Sequence, residues 1–280
     1  MALKGNILFN GDFETGTSEG WIEAPYGQGT GYTLYVLPQA AYKGEYGGYA
    51  LATEDGAVGQ FAYDKVCSFE EEEAYLFIMY AKMISGFWLN GLLYGLDDKG
   101  NLIQTYRIGY ITETGEWKKI MAILRGYKDI THFKVGVELG GFSTGDKSYI
   151  DEVKLFPLRS IRSHILGETI TIEGLEVGRE VDVGLACFGS CVLRSILKTY
   201  NVEGTNPTLN TRIEVYLFDA PHSKFVRNHT QFTTEQFEEV KMDLPEISFI
   251  RITYAVGGDN PSFDIEHNLR IEPTAPSGEA

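Results

Sequence analysis

Asn6-Ile7-Leu8-Phe9-Asn10-Gly11-Asp12-Phe13-Glu14-Thr15-Gly16, followed by Gly20-Trp21, is the stretch that decides the fold. Ile7 to Phe9 is a short apolar run, and Asn10-Gly11 signals a turn. Read as an extended segment, Phe13 is flanked by Asp12 and Glu14 on one shared face. Gly16 and Gly20 allow positive φ, so the chain can fold back and bury Trp21. Far along the chain, Ser148-Tyr149-Ile150-Asp151-Glu152-Val153-Lys154-Leu155 alternates as a strand does and carries Asp151. If the first and last strands meet, Asp12 or Glu14 comes close to Asp151. Carboxylates held together repel unless a cation lies between them, and oxygen-rich sites of this kind suit calcium.

Working outward, short apolar or alternating runs are joined by Gly and Asp turns. Tyr32–Leu37 reads as a strand, and a Gly/Tyr-rich turn from Ala41 leads into another. Ala74–Ala81 is apolar on both faces, which marks a central strand. Phe87–Tyr94 follows, then a hairpin turn at Asp97–Asn101. Strands around Tyr106–Tyr110, Trp117–Leu124 and His132–Leu139 complete a two-sheet sandwich. Pro157 stops the ladder.

The opening N-x-L-x-N-G-x-F-E-x-G…W, the closing Y-I-D-E-V-x-L and Gly115-Glu116-Trp117-Lys118-Lys119 resemble the two ends and the tryptophan strand of the galactose-binding-like carbohydrate-binding modules. The resemblance covers residues 1–157. It implies a jelly roll, structural roles for Trp21 and Trp117, and a structural Ca²⁺ held by Glu14 and Asp151 with carbonyls near Gly11 and Lys43. Where some relatives place a further acid, this chain has Gln39 and Ala40.

Residues 158–272 read as a second β-sandwich, with strands at Glu168–Leu175, Glu180–Ala186, Val192–Val202, Thr211–Phe218, Phe237–Met242, Ile247–Tyr254 and Leu269–Ile271. Leu193–Tyr200 fits one helical piece as an alternative. Tyr200–Pro207 resembles the N-x-G-T-N turn of an uncharacterised sandwich domain of surface and spore proteins of Gram-positive bacteria. Residues 273–280 have the composition of a tail. The fold class expected is therefore all-β, with two tandem sandwiches.

Composition narrows the function. The formal net charge is −15 and is spread over both halves, so a phosphate backbone would be repelled and nucleic-acid binding is not expected. No run approaches the ~20 apolar residues of a membrane span. No signal peptide is read at the start: either one has been removed, or the protein reaches the outside by another route, through lysis after virus assembly or release of a spore from its mother cell. Cys67, Cys187 and Cys191 form no disulfide framework and no zinc spacing. His132, His164, His222, His229 and His267 are scattered, and no hydrolase, metalloprotease or nucleotide-binding motif is present. The acid run Glu70–Glu73 reads as a solvated loop.

The protein is therefore expected to be non-enzymatic. Sugar binding needs aromatic faces flanked by amides and acids. Trp88, with Asn90 and Tyr94, is the expected platform in this sequence. Tyr26, Tyr32, Tyr42, Tyr46 and Tyr49 lie in Gly-rich loops and suit either a sugar edge or a subunit interface, where Tyr is enriched. The leading expectation is a structural subunit of a homomeric extracellular assembly, spore or virion, that contacts glycans. The alternative is a soluble polysaccharide-binding module.

Overall fold

The computed structural model describes residues 6–69, 74–126, 129–158, 165–217 and 224–274. Glu70–Glu73, His164, His222, the first five residues and the last six lie outside them. The chain divides into two compact units, Met1–Ile161 and Arg162–Ala280, and the described residues of both are mainly strand, with two short 3-10 helices, Pro25–Gly27 and Pro38–Ala40, in the first. Among the described residues no helix is long and apolar enough to cross a membrane.

The first unit contains β1 (Trp21–Glu23), β2 (Tyr32–Leu37), β3 (Gly47–Ala52), β4 (Val58–Tyr63), β5 (Cys67–Ser68) and β6 (Ala74–Met83). It continues with β7 (Trp88–Leu96), β8 (Leu102–Ile111), β9 (Lys118–Arg125), β10 (His132–Gly140) and β11 (Lys147–Leu158). One sheet runs β1-β4-β10-β7-β8, with β5 on β10; the other contains β9-β6-β11-β3-β2. The result is the two-sheet jelly roll expected from the alternating runs. Phe61, Phe77, Met79, Leu89, Leu93, Val137 and Ile150 fill the space between the sheets. Gly91 of β7 sits over Phe77 of β6, where a Cβ would stand 3.1 Å from the ring.

The opening stretch meets the last strand, as its motifs suggest. Ile7 N–H donates to the Leu155 carbonyl at 3.0 Å, and Val153 N–H donates to that of Gly11 at 2.8 Å. Gly11 must be glycine, because a Cβ there would stand 2.1 Å from the Val153 oxygen. Gly16 and Gly20 take φ of 70° and 87°, and Trp21 folds back to stack on Phe13 at 5.3 Å. The extended reading of this stretch is corrected in one respect. Asn10 and Phe13 have φ of 54° and 57°, so the segment is a chain of turns and Asp12 and Glu14 do not line one face.

The second unit contains β12 (Leu166–Leu175), β13 (Arg179–Val183), β14 (Leu185–Cys187), β15 (Cys191–Tyr216), β16 (Lys224–Asn228), β17 (Gln236–Leu244) and β18 (Phe249–Pro273). Two very long strands pair along their whole length. β12 and β17 flank one half of the β15–β18 pair, and β13 and β16 flank the other. Tyr254 and His267 lie on the same strand and would be roughly 40 Å apart if it were straight. Their side chains are 2.8 Å apart, so the ribbon folds over and its halves face each other as a sandwich.

Leu193–Tyr200 is strand, as the Val192–Val202 reading expects, and the helical alternative falls. Tyr200–Pro207 is no turn between strands but the bulged middle of β15, where the register slips three times. Asn201, Gly204 and Asn206 take positive φ there, which lets the strand bend without ending.

Candidate functional site

Because Gly91 faces Phe77 and the sandwich core, its neighbours on β7 face outward. Trp88, Asn90, Leu92 and Tyr94 therefore share the outer face of the first sheet. Register sets Gln60 of β4, Glu138 of β10 and Asn90 of β7 side by side. Arg107 reaches in from β8. Its Nε donates to Glu138 Oε2 at 2.5 Å, and a terminal nitrogen donates to Oε1 at 3.3 Å. Gln60 Nε2 donates to Glu138 Oε1 at 2.9 Å, and the Tyr94 hydroxyl donates to Gln60 Oε1 at 3.2 Å. The Asn90 amide donates to Glu138 Oε2 at 3.4 Å in one orientation. Turned over, it donates to the Gly109 and Leu89 carbonyls at 3.0 and 3.3 Å.

Glu138 is a buried carboxylate, 4% exposed. A buried charge is costly unless paired and fully hydrogen-bonded, and the Arg107 fork with the Gln60 amide supplies both. The Glu138 hydrogen bond in turn raises the Arg107 pKa further. Burial, with the nearby Glu138 charge, pushes the Tyr94 hydroxyl far above the usual tyrosine range.

Trp88 stays partly exposed. Its ring lies on Gly140, where a Cβ would come within 2.5 Å of it, and the Arg107 guanidinium sits 5.4 Å from the ring centre. At the other end, Tyr26 lies 5.6 Å from the Tyr94 ring and is 42% exposed. It is carried by a tight loop in which Ala24 and Tyr26 both take left-handed backbone. Asn90 and Tyr94, both at 0% exposure, do not reach the surface; Tyr94 holds Gln60, and Asn90 holds either Glu138 or the Gly109 and Leu89 carbonyls. The groups that reach the surface are part of the Trp88 indole, the Arg107 guanidinium and the Tyr26 phenol, and a buried polar row holds the guanidinium in place. Sequence reasoning missed Gln60, Arg107 and Glu138. Cross-strand register joins them, and residues far apart in sequence give no local signal of that.

The residues expected around calcium gather at one loop. Asp151 Oδ2 accepts the N–H groups of Tyr42 and Lys43 at 2.7 and 3.0 Å, and Oδ1 accepts that of Glu152 at 2.6 Å. Glu14 Oε1 accepts the N–H groups of Glu45 and Tyr46 at 2.9 and 3.0 Å. The bulge in β11 after Asp151, with Glu152 at φ 51°, aims the carboxyl at this loop. Burial pushes the Asp151 carboxyl up to about 6, against the pull of its three N–H donors. Among the described residues no group of three or more His, Cys, Asp or Glu side chains is placed for a metal ion.

The second unit holds a buried chain of hydrogen bonds. His229 Nδ1 is 2.8 Å from Glu238 Oε2, and its Nε2 is 2.9 Å from Ser195 Oγ. Ser195 Oγ is 2.6 Å from His267 Nε2, whose Nδ1 is 2.8 Å from the Tyr254 hydroxyl. Burial lowers the pKa of both rings, that of His267 to about 3. With both neutral, the donors follow in order. A carboxylate only accepts, so His229 is protonated at Nδ1 and accepts the Ser195 hydroxyl at Nε2. Ser195 then accepts from His267 Nε2–H, and Tyr254 donates to His267 Nδ1. A carboxylate, a histidine and a serine in this order also form hydrolytic triads. Here Ser195, His267 and Tyr254 are at 0% exposure, so the chain ties the two halves of the sandwich together.

Neither a protein-family model nor a curated protein matches the chain. Solved structures are similar to it. The tandem CBM22-1–CBM22-2 domain of Xyn10C from Paenibacillus barcinonensis is 16% identical, with a TM-score of 0.43; the match covers 97% of this chain and 99% of that one. TmCBM61, solved in complex with β-1,4-galactotriose, is 20% identical with a TM-score of 0.41, over 55% of this chain and 100% of that one. The enzymatically active domain of tailspike protein 4 of bacteriophage CBA120 is 15% identical with a TM-score of 0.42, over 55% and 21%.

Proposed function

We propose that the protein is a non-catalytic glycan-contacting module whose ligand lies on the outer face of the first sheet, across Trp88 and Arg107. The observation that carries this reading is the partly exposed Trp88 indole beside the exposed Arg107 guanidinium, which is fixed on buried Glu138 and Gln60. A ring face stacks on a sugar, and rigid polar groups beside it bond hydroxyls at little entropic cost. Glu138 is committed to Arg107 and is not placed to act as an acid or base. Electrophoresis through gels containing soluble xylan, β-1,4-galactan or mixed-linkage β-glucan tests this. At least one should retard the full chain, and Trp88→Ala should run free while keeping its far-UV spectrum and melting temperature. Free migration in all of them would overturn the reading.

Calcium belongs to the same proposal. Glu14 Oε2 has no hydrogen bond among the described residues, and Asp151 is a buried acid that a cation would help to ionise. The two carboxylates and nearby carbonyls are hard oxygen donors of the type calcium takes. Bound there, Ca²⁺ would tie the opening stretch, the 42–46 loop and β11 together.

Homomeric assembly at an extracellular surface is a second reading, and β16 favours it. Every residue of this edge strand is exposed, Phe225 and Val226 among them. Such an edge is a ready template for another chain. Sedimentation of the purified protein should show large oligomers, and a Val226→Lys variant should not form them. A monomer at high concentration would rule this reading out.

A further inference from the structure

The outer face of the second sheet carries an aromatic row that the reading above does not use. Tyr35 of β2, Tyr49 of β3 and Tyr149 of β11 are direct cross-strand partners. Their ring centres are 6.2 and 5.8 Å apart. Tyr149 in turn faces Lys82 of β6, and the Trp117 ring lies 6.3 Å beyond Tyr149. Tyr42 closes the row, 5.2 Å from Trp117 and stacked on Tyr80 at 4.1 Å. The row crosses β2, β3, β11 and β6 to the head of β9, roughly 19 Å at the usual strand spacing. Tyr35 and Tyr42 are 45% and 44% exposed, and the others are half-buried against one another.

The charge on this face runs against that of the chain. Lys82 lies within the row. Lys147 lies two residues from Tyr149 on the same face of β11, opposite Leu51. Neither ammonium forms an ion pair among the described residues, whereas Lys118 and Lys154 are held by glutamates. In a chain of net charge −15, cations set into a line of rings and without an ion pair among the described residues mark a place for an anion with apolar faces.

We propose that this row is a second binding face, separate from Trp88, for an anionic polysaccharide whose sugars carry carboxylates. The sugar rings lie against Tyr35, Tyr49, Tyr149 and Trp117, and the carboxylates meet Lys82 and Lys147. The length of the row suits several consecutive sugars rather than one. A repulsive chain-wide charge with a few local cations selects sparse carboxylates over the dense phosphates of a nucleic acid.

The test uses the full chain with polygalacturonate and with the same polymer fully methyl-esterified. Polygalacturonate should retard the chain at low salt, and the esterified form should bind at least roughly tenfold more weakly. The Lys82→Gln/Lys147→Gln double variant should lose most of the binding and its salt dependence, at an unchanged melting temperature. Tyr49→Ala should weaken binding too; should it fail to fold, the lysine variant decides. In NMR spectra the Trp117 indole N–H should shift on addition of polygalacturonate, and Trp88→Ala should bind as the wild type does. Equal binding of the two polymers, no effect of the lysine substitutions, or a dimer in light scattering that they dissolve would overturn the proposal. Because Trp88→Ala spares this face, its failure and that of the Trp88 site are told apart.

Discussion

Arg107 is the exposed half of a pair whose other half, Glu138, is buried: their side chains are 56% and 5% exposed. The guanidinium therefore cancels a charge inside the sheet and also presents itself to a ligand. Arg107→Ala leaves Glu138 buried without its cation and should cost about 2 kcal/mol or more in the stability of the first unit. Adding Glu138→Gln should restore much of this, because a neutral amide is cheaper to bury. Denaturant titration of both variants measures the difference. Equal stabilities for the single and double variants would contradict the pairing.

Gly140 sets the depth of Trp88. A Cβ at Gly140 would strike the indole, so Gly140→Ala should lift the ring and abolish glycan retardation with little loss of stability. Gly11→Ala should behave differently. Its Cβ meets a backbone oxygen that cannot swing away, and the loss should exceed about 2 kcal/mol. Melting curves and retardation gels run on both variants separate the two effects.

The two units should respond to acid in opposite directions. Asp151 has its folded pKa raised to about 6, so the folded state takes up protons before the unfolded chain does. The first unit therefore gains stability as pH falls from about 7 to 4, by up to about 2 kcal/mol from this group. His267, at about 3 when folded, is protonated first in the unfolded chain, and His229 shifts the same way. Their contribution is complete above the ordinary histidine pKa and declines below it, by about 2 kcal/mol at pH 5 from His267. Hydrogen exchange resolved by unit should show this divergence between pH 7 and 5. A common trend in both units would contradict it.

The histidine tautomers offer a second check on that network. Nitrogen-15 spectra at neutral pH should show His229 protonated at Nδ1 and His267 at Nε2, both rings neutral. The opposite tautomer at either ring would break the donor order.

Calcium would reverse the behaviour of Asp151. A cation beside it stabilises the carboxylate, so in excess Ca²⁺ the gain of the first unit on acidification should vanish. The melting temperature at neutral pH should rise as well, by the linkage of ligand to fold. Unchanged melting with Ca²⁺ or chelator, and no metal by elemental analysis, would remove calcium from the account.

Much of the fold is legible in the sequence where the signal is local. Gly16, Gly20 and Trp21 foretell a folded-back end, and Asp97 foretells the hairpin whose N–H groups it accepts. The signal fails where structure depends on pairing across distance. Asn201 and Asn206 read as turn residues, yet pairing with β18 carries β15 through the bend without ending it. β16 is exposed along its whole length, and Phe225-Val226 side by side lack the alternation that would mark it. The same limit governs the site. Trp88 is conspicuous alone, but Arg107, Glu138 and Gln60 become a unit only through register, and nothing local shows that Tyr94 is buried.

The most direct measurement follows the indole N–H signals of the chain's three tryptophans by NMR as a retarding neutral glycan is added. The Trp88 signal should shift and saturate together with the Arg107 Nε–H. Trp21, buried against Phe13, and Trp117, on the other sheet, should stay in place. Saturable binding that leaves Trp88 and Arg107 unmoved would contradict the central claim.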